Sequence, residues 1–351
     1  MRPLIALAIA LVSLAPSHAY DQVARFAAAI PIEQNDGPSF LYVAPPLGFI
    51  GVRTIDFTLP QDIAIGRTLI SAKSIDPMTG IDFRRVYAVL SIGNGLNTTN
   101  VLFGQNGFAA DTAATLAARG FDSRDIGGIA VLANGEDASL DLSQARNADP
   151  LAADMGRAQR VAVVEDMVLV NPSWAGIETA LTALSPKAAK ARPEWVAVFD
   201  ALNALRGSGT TEAAIGWSGA VLSTLETTSQ AILDGSIYQQ ATDSGRKFVF
   251  PPFPIAAMGI DRLHGDTHLR IALPYRDERD AELALEHIGR YLVRFPEVPD
   301  VPQQQVISSG DWHVAVLTLT LKADKGGKAH ALLQSFTSAI LRRQFFPLEF
   351  L

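Results

Sequence analysis

Two β-type runs separated by two polar residues leave a chain few choices. Residues 160–164 and 167–170 flank Glu165-Asp166, and a two-residue connection between extended runs closes an antiparallel hairpin. A second pair follows. Residues 254–261 and 268–275 are strand-like and surround a polar turn. Each pair has a helical pattern as its neighbour. The architecture expected from this grammar is therefore α+β, with antiparallel sheets covered by helices.

The remaining elements fit that frame. Residues 85–92 (RVYAVLSI), 100–103 and 126–133 read as strands. An alanine-rich helix is expected over 108–119, with Gly120 placed to stop it. Asn171 or Ser173 can cap a helix over 174–184 by accepting from its free amides. Pro193 suits the first position of a helix over 193–205, where a missing N–H costs nothing. Over 277–294, Ala284, Ile288, Tyr291, Leu292 and Phe295 recur at helical spacing. Its acidic residues lie at the start and Arg290 and Arg294 at the end, as the helix dipole favours. A strand over 312–321, a turn at Gly326-Gly327 and a last helix with Leu332, Leu333, Phe336, Ala339 and Ile340 on its core face complete the chain.

The two halves share an order of strand, helix, strand or hairpin, helix. If that is a duplication, two ferredoxin-like halves are the economical form. The Gly/Ser/Thr cluster after Arg206 is the expected boundary. The expected division is a leader at 1–19, a lead-in at 20–46, a first α+β domain at 47–206, a linker at 207–213 and a second α+β domain at 214–351.

The first nineteen residues read as a secretion signal. Arg2 is followed by an apolar run from Leu4 to Leu14 broken only by Ser13, then by Pro16 and the small residues Ser17 and Ala19. Basic, apolar, then small at −3 and −1 is the pattern that export and cleavage require. Cleavage is expected after Ala19, and the mature chain is expected in the periplasm or outside the cell. No later window is long and apolar enough to predict a membrane span. There is no cysteine, which rules out disulfides, thiolate metal sites and a lipid on an N-terminal cysteine.

Composition is that of an ordinary globular chain, with 48% hydrophobic and 19% charged residues. The formal net charge is −7, and loss of Arg2 with the leader makes it one unit more negative. Nucleic acid and anionic membranes demand basic patches, so neither is the expected partner.

The segment Asp149-Pro150-Leu151 followed by the hairpin 161–170 and a helix resembles a loose group of exported bacterial proteins of unassigned activity. So do Asn100-Val-Leu-Phe-Gly-Gln with the Ala-rich helix to Arg119-Gly-Phe, and Pro251-Pro-Phe-Pro254 leading into the later strand and helix. Many members of that group look like lipoproteins; this chain lacks the cysteine. The resemblance implies an exported α+β protein and brings no catalytic residues.

Two clusters carry candidate chemistry. His264-Gly-Asp266-Thr-His268 places two imidazoles and a carboxylate within five residues, the ligand types of zinc and similar metals. His313 is a candidate third ligand. The plain reading is a polar hairpin tip, with Gly265 and Asp266 supplying turn chemistry. Gly216-Trp-Ser218-Gly-Ala220 comes near the nucleophile elbow of serine hydrolases, with Ala220 in place of the last glycine. Asp261 or Asp266, then His313 or His330, would follow in that fold's order. The plain reading is the end of a strand. Glycine pairs at Gly93-Asn-Gly95 and Gly127-Gly128 read as turns, and the four tryptophans as core.

The functional expectation is an exported soluble protein that binds a protein or a small-molecule ligand, without catalysis and without a cofactor. A groove between the halves near 207–211 would suit it. The alternative is an exported hydrolase, metal-dependent through His264, Asp266 and His268 or serine-dependent through Ser218.

Overall fold

The fold is seen in a computed structural model that describes residues 19–27, 40–44, 65, 68–69, 72–93, 98–141, 143, 149–152, 156–184, 192–218, 234, 236–243, 250–292, 302–322 and 332. The leader before Ala19, Asn94–Asn97, His330, the Gly326-Gly327 turn and all of the last helix except Leu332 lie outside the described residues.

Among the described residues, twelve strands form one sheet. They are β1 (Phe40–Val43), β2 (Val86–Ile92), β3 (Thr99–Gly104), β4 (Asp122–Ile126), β5 (Ile129–Asn134), β6 (Gln159–Val164), β7 (Met167–Asn171), β8 (Thr210–Ser218), β9 (Ile255–Leu263), β10 (Asp266–Tyr275), β11 (Gln303–Ser309) and β12 (Trp312–Leu321). Their spatial order is β11-β12-β10-β9-β8-β1-β2-β3-β7-β6-β5-β4, and every named pairing is antiparallel. The helices are α1 (Ala19–Arg25), α2 (Thr112–Ala118), α3 (Trp174–Leu184), α4 (Pro193–Arg206), α5 (Ser236–Asp243) and α6 (Glu278–Leu292). The protein is thus α+β with a helix-covered antiparallel sheet.

Each half contains a hairpin, a helix and a second hairpin. In the first, β2–β3, α2 and β6–β7 give the order β2-β3-β7-β6. In the second, β9–β10, α6 and β11–β12 give β9-β10-β12-β11. That connectivity differs from the β-α-β-β-α-β order of a ferredoxin-like half, because both strands of each hairpin are consecutive. The two units are joined edge to edge through β1 and β8. The proposed linker is part of this join: Gly207, with φ of 57°, ends α4, while Thr210–Ala213 are already in β8. Its small polar residues look like a loop, yet Thr211 and Ala213 are fully buried.

Alternation along the strands sends apolar side chains to both faces, which a sheet covered on both sides requires. One face packs on α2 and α6, through Leu102, Val168, Met258, Leu269 and Leu317 against Leu116, Ala284 and Ile288. The other packs on α1, α3 and α4, through Phe40, Leu90, Val101, Leu169 and Val316. There, Trp195 stacks on Phe199 with centroids 5.7 Å apart, and Phe40 meets both rings edge-on. Gly216 of β8 makes room for the Phe40 ring, which a Cβ would strike. Three tryptophans are core as expected. Trp174 is half-buried, and its ring contacts the guanidinium groups of Arg124 at 4.7 Å and Arg160 at 5.0 Å.

Local caps follow sequence chemistry. Ser173 Oγ accepts from the Gly176 amide at 3.1 Å at the start of α3. Asn171 instead holds Ser173, accepting from its amide at 2.8 Å. The acid-Pro-Leu segment is a buried brace. Asp149 accepts from the Leu151 amide at 2.9 Å, from Arg119 at 2.6 Å and from Gln159 at 3.1 Å. It ties the end of α2 to the start of β6.

Candidate functional site

The β9–β10 hairpin holds the chemistry. At its tip, His264 and Gly265 form the two-residue turn between Leu263 and Asp266, both with positive φ, 53° and 89°. A tight hairpin turn of this hand needs that conformation, so the tip is a hairpin turn as expected, but it is made by His264 and Gly265 rather than by Gly265 and Asp266, which already pairs with Leu263 in β10. Asp266 and His268 lie two apart on one strand and share a face; His264 is exposed at the tip. Among the described residues, no group of three or more His, Asp or Glu side chains is placed to hold a metal ion. His313 pairs with Tyr275 at the far end of β12, whereas His268 pairs with Thr320. Seven residues of strand separate them, about 24 Å.

The serine reading has the same difficulty. Ser218 ends β8 opposite Ile255, while Thr211, seven residues earlier, is opposite Asp261. A register shift in β8 absorbs one residue, so Ser218 and Asp261 are six residues of β9 apart, about 20 Å along the strands. β8 is antiparallel to both of its neighbours, whereas the elbow belongs to a strand–turn–helix in a parallel sheet.

A buried ionic cluster lies a few residues inside the hairpin. Thr211, Asp261, His268 and Thr320 stand opposite one another on β8, β9, β10 and β12, so they form a polar row on one face. Asp261 is fully buried. Thr211 Oγ1 donates to it at 2.7 Å, Tyr20 Oη donates to both its oxygens, and Arg270 Nη1 closes an ion pair. The second Arg270 terminal nitrogen donates to the Leu205 carbonyl at 3.0 Å. Beside it, Arg206 donates to the Gly209 carbonyl at 2.8 Å. His268 Nδ1 lies 3.1 Å from Thr320 Oγ1.

Burial governs the ionisation of this row. It pushes the Asp261 carboxyl above its ordinary value, against the opposing pull of Arg270, Thr211, Tyr20 and Arg206. The Tyr20 phenol is raised well above 10.0, first by burial and then by the Asp261 charge. The His268 imidazole is held below its usual value, by burial first and then by Arg270. A buried carboxylate with an adjacent tyrosine is a candidate acid–base pair. Here the carboxylate's acceptor sites are taken up by this chain's own donors.

The cluster also positions α1. Three consecutive residues of that helix reach three elements: Tyr20 bonds Asp261 on β9, Asp21 accepts from Asn203 of α4 at 2.8 Å, and Gln22 donates to Tyr87 of β2 at 3.1 Å. Gly259, opposite Arg270, lacks the Cβ that would collide with the Tyr20 hydroxyl. The helix therefore braces both halves at their junction. At 207–211, Gly207 to Gly209 form a turn, and Thr210 and Thr211 begin β8, paired with Arg262 and Asp261.

No family model matches the chain, and no curated protein matches it. Among solved structures, crystal form IV of TP0453 aligns at 11% identity with a TM-score of 0.38, covering 85% of this chain and 93% of that one. Crystal form III aligns at 12% identity with a TM-score of 0.35, over 85% and 95% of the two chains. At these scores the likeness carries no argument about fold or function.

Proposed function

We propose that this is an exported, soluble, non-catalytic binding or interaction protein of the periplasm. The observation that supports the reading is the state of Asp261. The most strongly buried carboxylate of the candidate site is engaged by Tyr20, Thr211 and Arg270, each of which belongs to a different structural element. A general base needs a free lone pair within reach of substrate; this one serves as a fold-internal anchor. The pattern of Arg2, the apolar run and Ala19 supports export.

The test has two parts. N-terminal sequencing of the protein released by osmotic shock should begin at Tyr20. The same material should show no turnover on ester, phosphoester, peptide and glycoside substrates, and no labelling by a fluorophosphonate. A cytoplasmic protein retaining Met1 would defeat the export reading. Turnover abolished by Ser218→Ala or His268→Ala would replace the binding reading with a hydrolase.

A further inference from the structure

The two ends of the sheet differ. At one end, β4 carries Asp122, Arg124 and Asp125 in five residues, the charged edge that discourages pairing with another chain. At the other end, β11 runs for seven residues, Gln303–Ser309, with no charge and no proline. Among the described residues, β11 pairs only with β12. Its outward backbone donors and acceptors form a template for a further strand.

The repeat shows what that position accepts. β11 stands in the second half where β6 stands in the first: each is the outer strand of the second hairpin. β6 is covered by β5, in antiparallel register from Val131↔Ala162 to Asn134↔Gln159. The second half has no counterpart to the β4–β5 hairpin among its described residues.

The geometry points to β11 as an edge that pairs with β11 of a second copy of this chain. A two-fold dimer needs a self-complementary patch, and the strand provides one. The register that pairs all seven residues centres on Val306. It sets Val306 against itself, Gln305 against Ile307, Gln304 against Ser308 and Gln303 against Ser309. No like charges face each other, although the chain as a whole is acidic. Gln303, Gln304, Gln305 and Ser308 are exposed, while Val306 and Ile307 are half-buried. The result is one sheet continuous through both copies, and it does not depend on what the protein binds.

Light scattering after size exclusion tests this on the purified full mature chain. The wild type should run at twice the chain mass. The double variant Gln304→Lys, Ser308→Lys, which places lysines opposite one another at two sites, should run as a monomer with an unchanged circular dichroism spectrum, and its melting temperature should lose the dependence on protein concentration that a dimer shows. The cysteine-free background allows a second readout. Opposed residues of an antiparallel pair have Cα atoms roughly 4.5–5.5 Å apart, within disulfide reach, so oxidised V306C should form a covalent dimer. A wild type that is monomeric at about 100 µM, where any complex of lower dissociation constant is mostly formed, overturns the proposal. So does a dimer that survives the two lysines, or a dimer that fails to crosslink through V306C.

Discussion

The Tyr20 hydroxyl donates to both carboxylate oxygens of Asp261, at 3.1 and 3.2 Å, across 241 positions of sequence. That contact seats α1 over the junction of the two halves. With Arg270 and Thr211 it completes a cluster in which a buried charge is paired and hydrogen-bonded, the condition for keeping one in a core.

Removing one side of the ion pair leaves the other charge uncompensated. Asp261→Ala should cost about 3–5 kcal/mol in urea unfolding, the usual cost of a broken buried pair. Tyr20→Phe should cost only about 1 kcal/mol, since it removes a single donor from an acceptor that keeps others. Replacing both charges with apolar residues, Asp261→Leu with Arg270→Met, should be less damaging than Asp261→Ala alone. Equal losses from Asp261→Ala and Tyr20→Phe would show that the pair is not the anchor.

Gly259 and Tyr20 should be coupled. Gly259→Ala puts a methyl group against the Tyr20 hydroxyl and should destabilise by about 1–3 kcal/mol, as overpacking does. Tyr20→Phe removes the colliding oxygen. The double variant should therefore be more stable than Gly259→Ala by itself, and a double-mutant cycle on unfolding free energies reads the coupling directly.

Alkali should unfold the protein through its buried phenols. Tyr20 and Tyr42 are both raised above the ordinary 10.0, chiefly by burial. A group whose folded value is raised gives stability that is fully present below its unfolded value and lost as pH climbs through the folded one. The loss should begin near pH 10. Tyrosinate absorbance should rise for these two residues only together with loss of the circular dichroism signal. Reversible titration in the folded protein that Tyr20→Phe or Tyr42→Phe removes would contradict their burial.

Acid should act through His268. Its imidazole is held low by burial and by Arg270, so its contribution to stability is present above the ordinary value of 6.5 and lost as pH falls through the lowered one. Melting temperatures at mildly acidic and neutral pH should differ less in His268→Asn than in the wild type. At the tip, His264→Asn should keep or slightly raise stability, because Asn-Gly suits the positive-φ turn. Metal content should be unchanged in both variants.

Most of the sheet could be read along the chain. The hairpin at Glu165-Asp166, the helix from Trp174 to Leu184 and the hairpin around His264-Gly265 rest on local pattern, and local pattern suffices for them. β11 carries no such signal: QQQVISS lacks the apolar alternation of a covered strand, which an edge strand does not need. The expected linker at 207–213 overlaps the start of β8, because the Gly/Ser/Thr cluster after Arg206 has loop chemistry. Yet Thr211 points into the Asp261 cluster and Glu212 meets Arg262 at 2.7 Å. β1 has only four residues, too few to show a period. The cluster itself had no sequence signal. Tyr20, Thr211, Asp261 and Arg270 are scattered over the chain, and only the register of β8, β9 and β10 assembles them.

Native mass spectrometry of protein purified gently from the periplasmic fraction tests the binding reading most directly. Chains of residues 20–351 are expected, each carrying a noncovalently bound molecule or partner that is released on denaturation. Chains that keep Met1 to Ala19 would contradict export, and bare chains would contradict the binding reading.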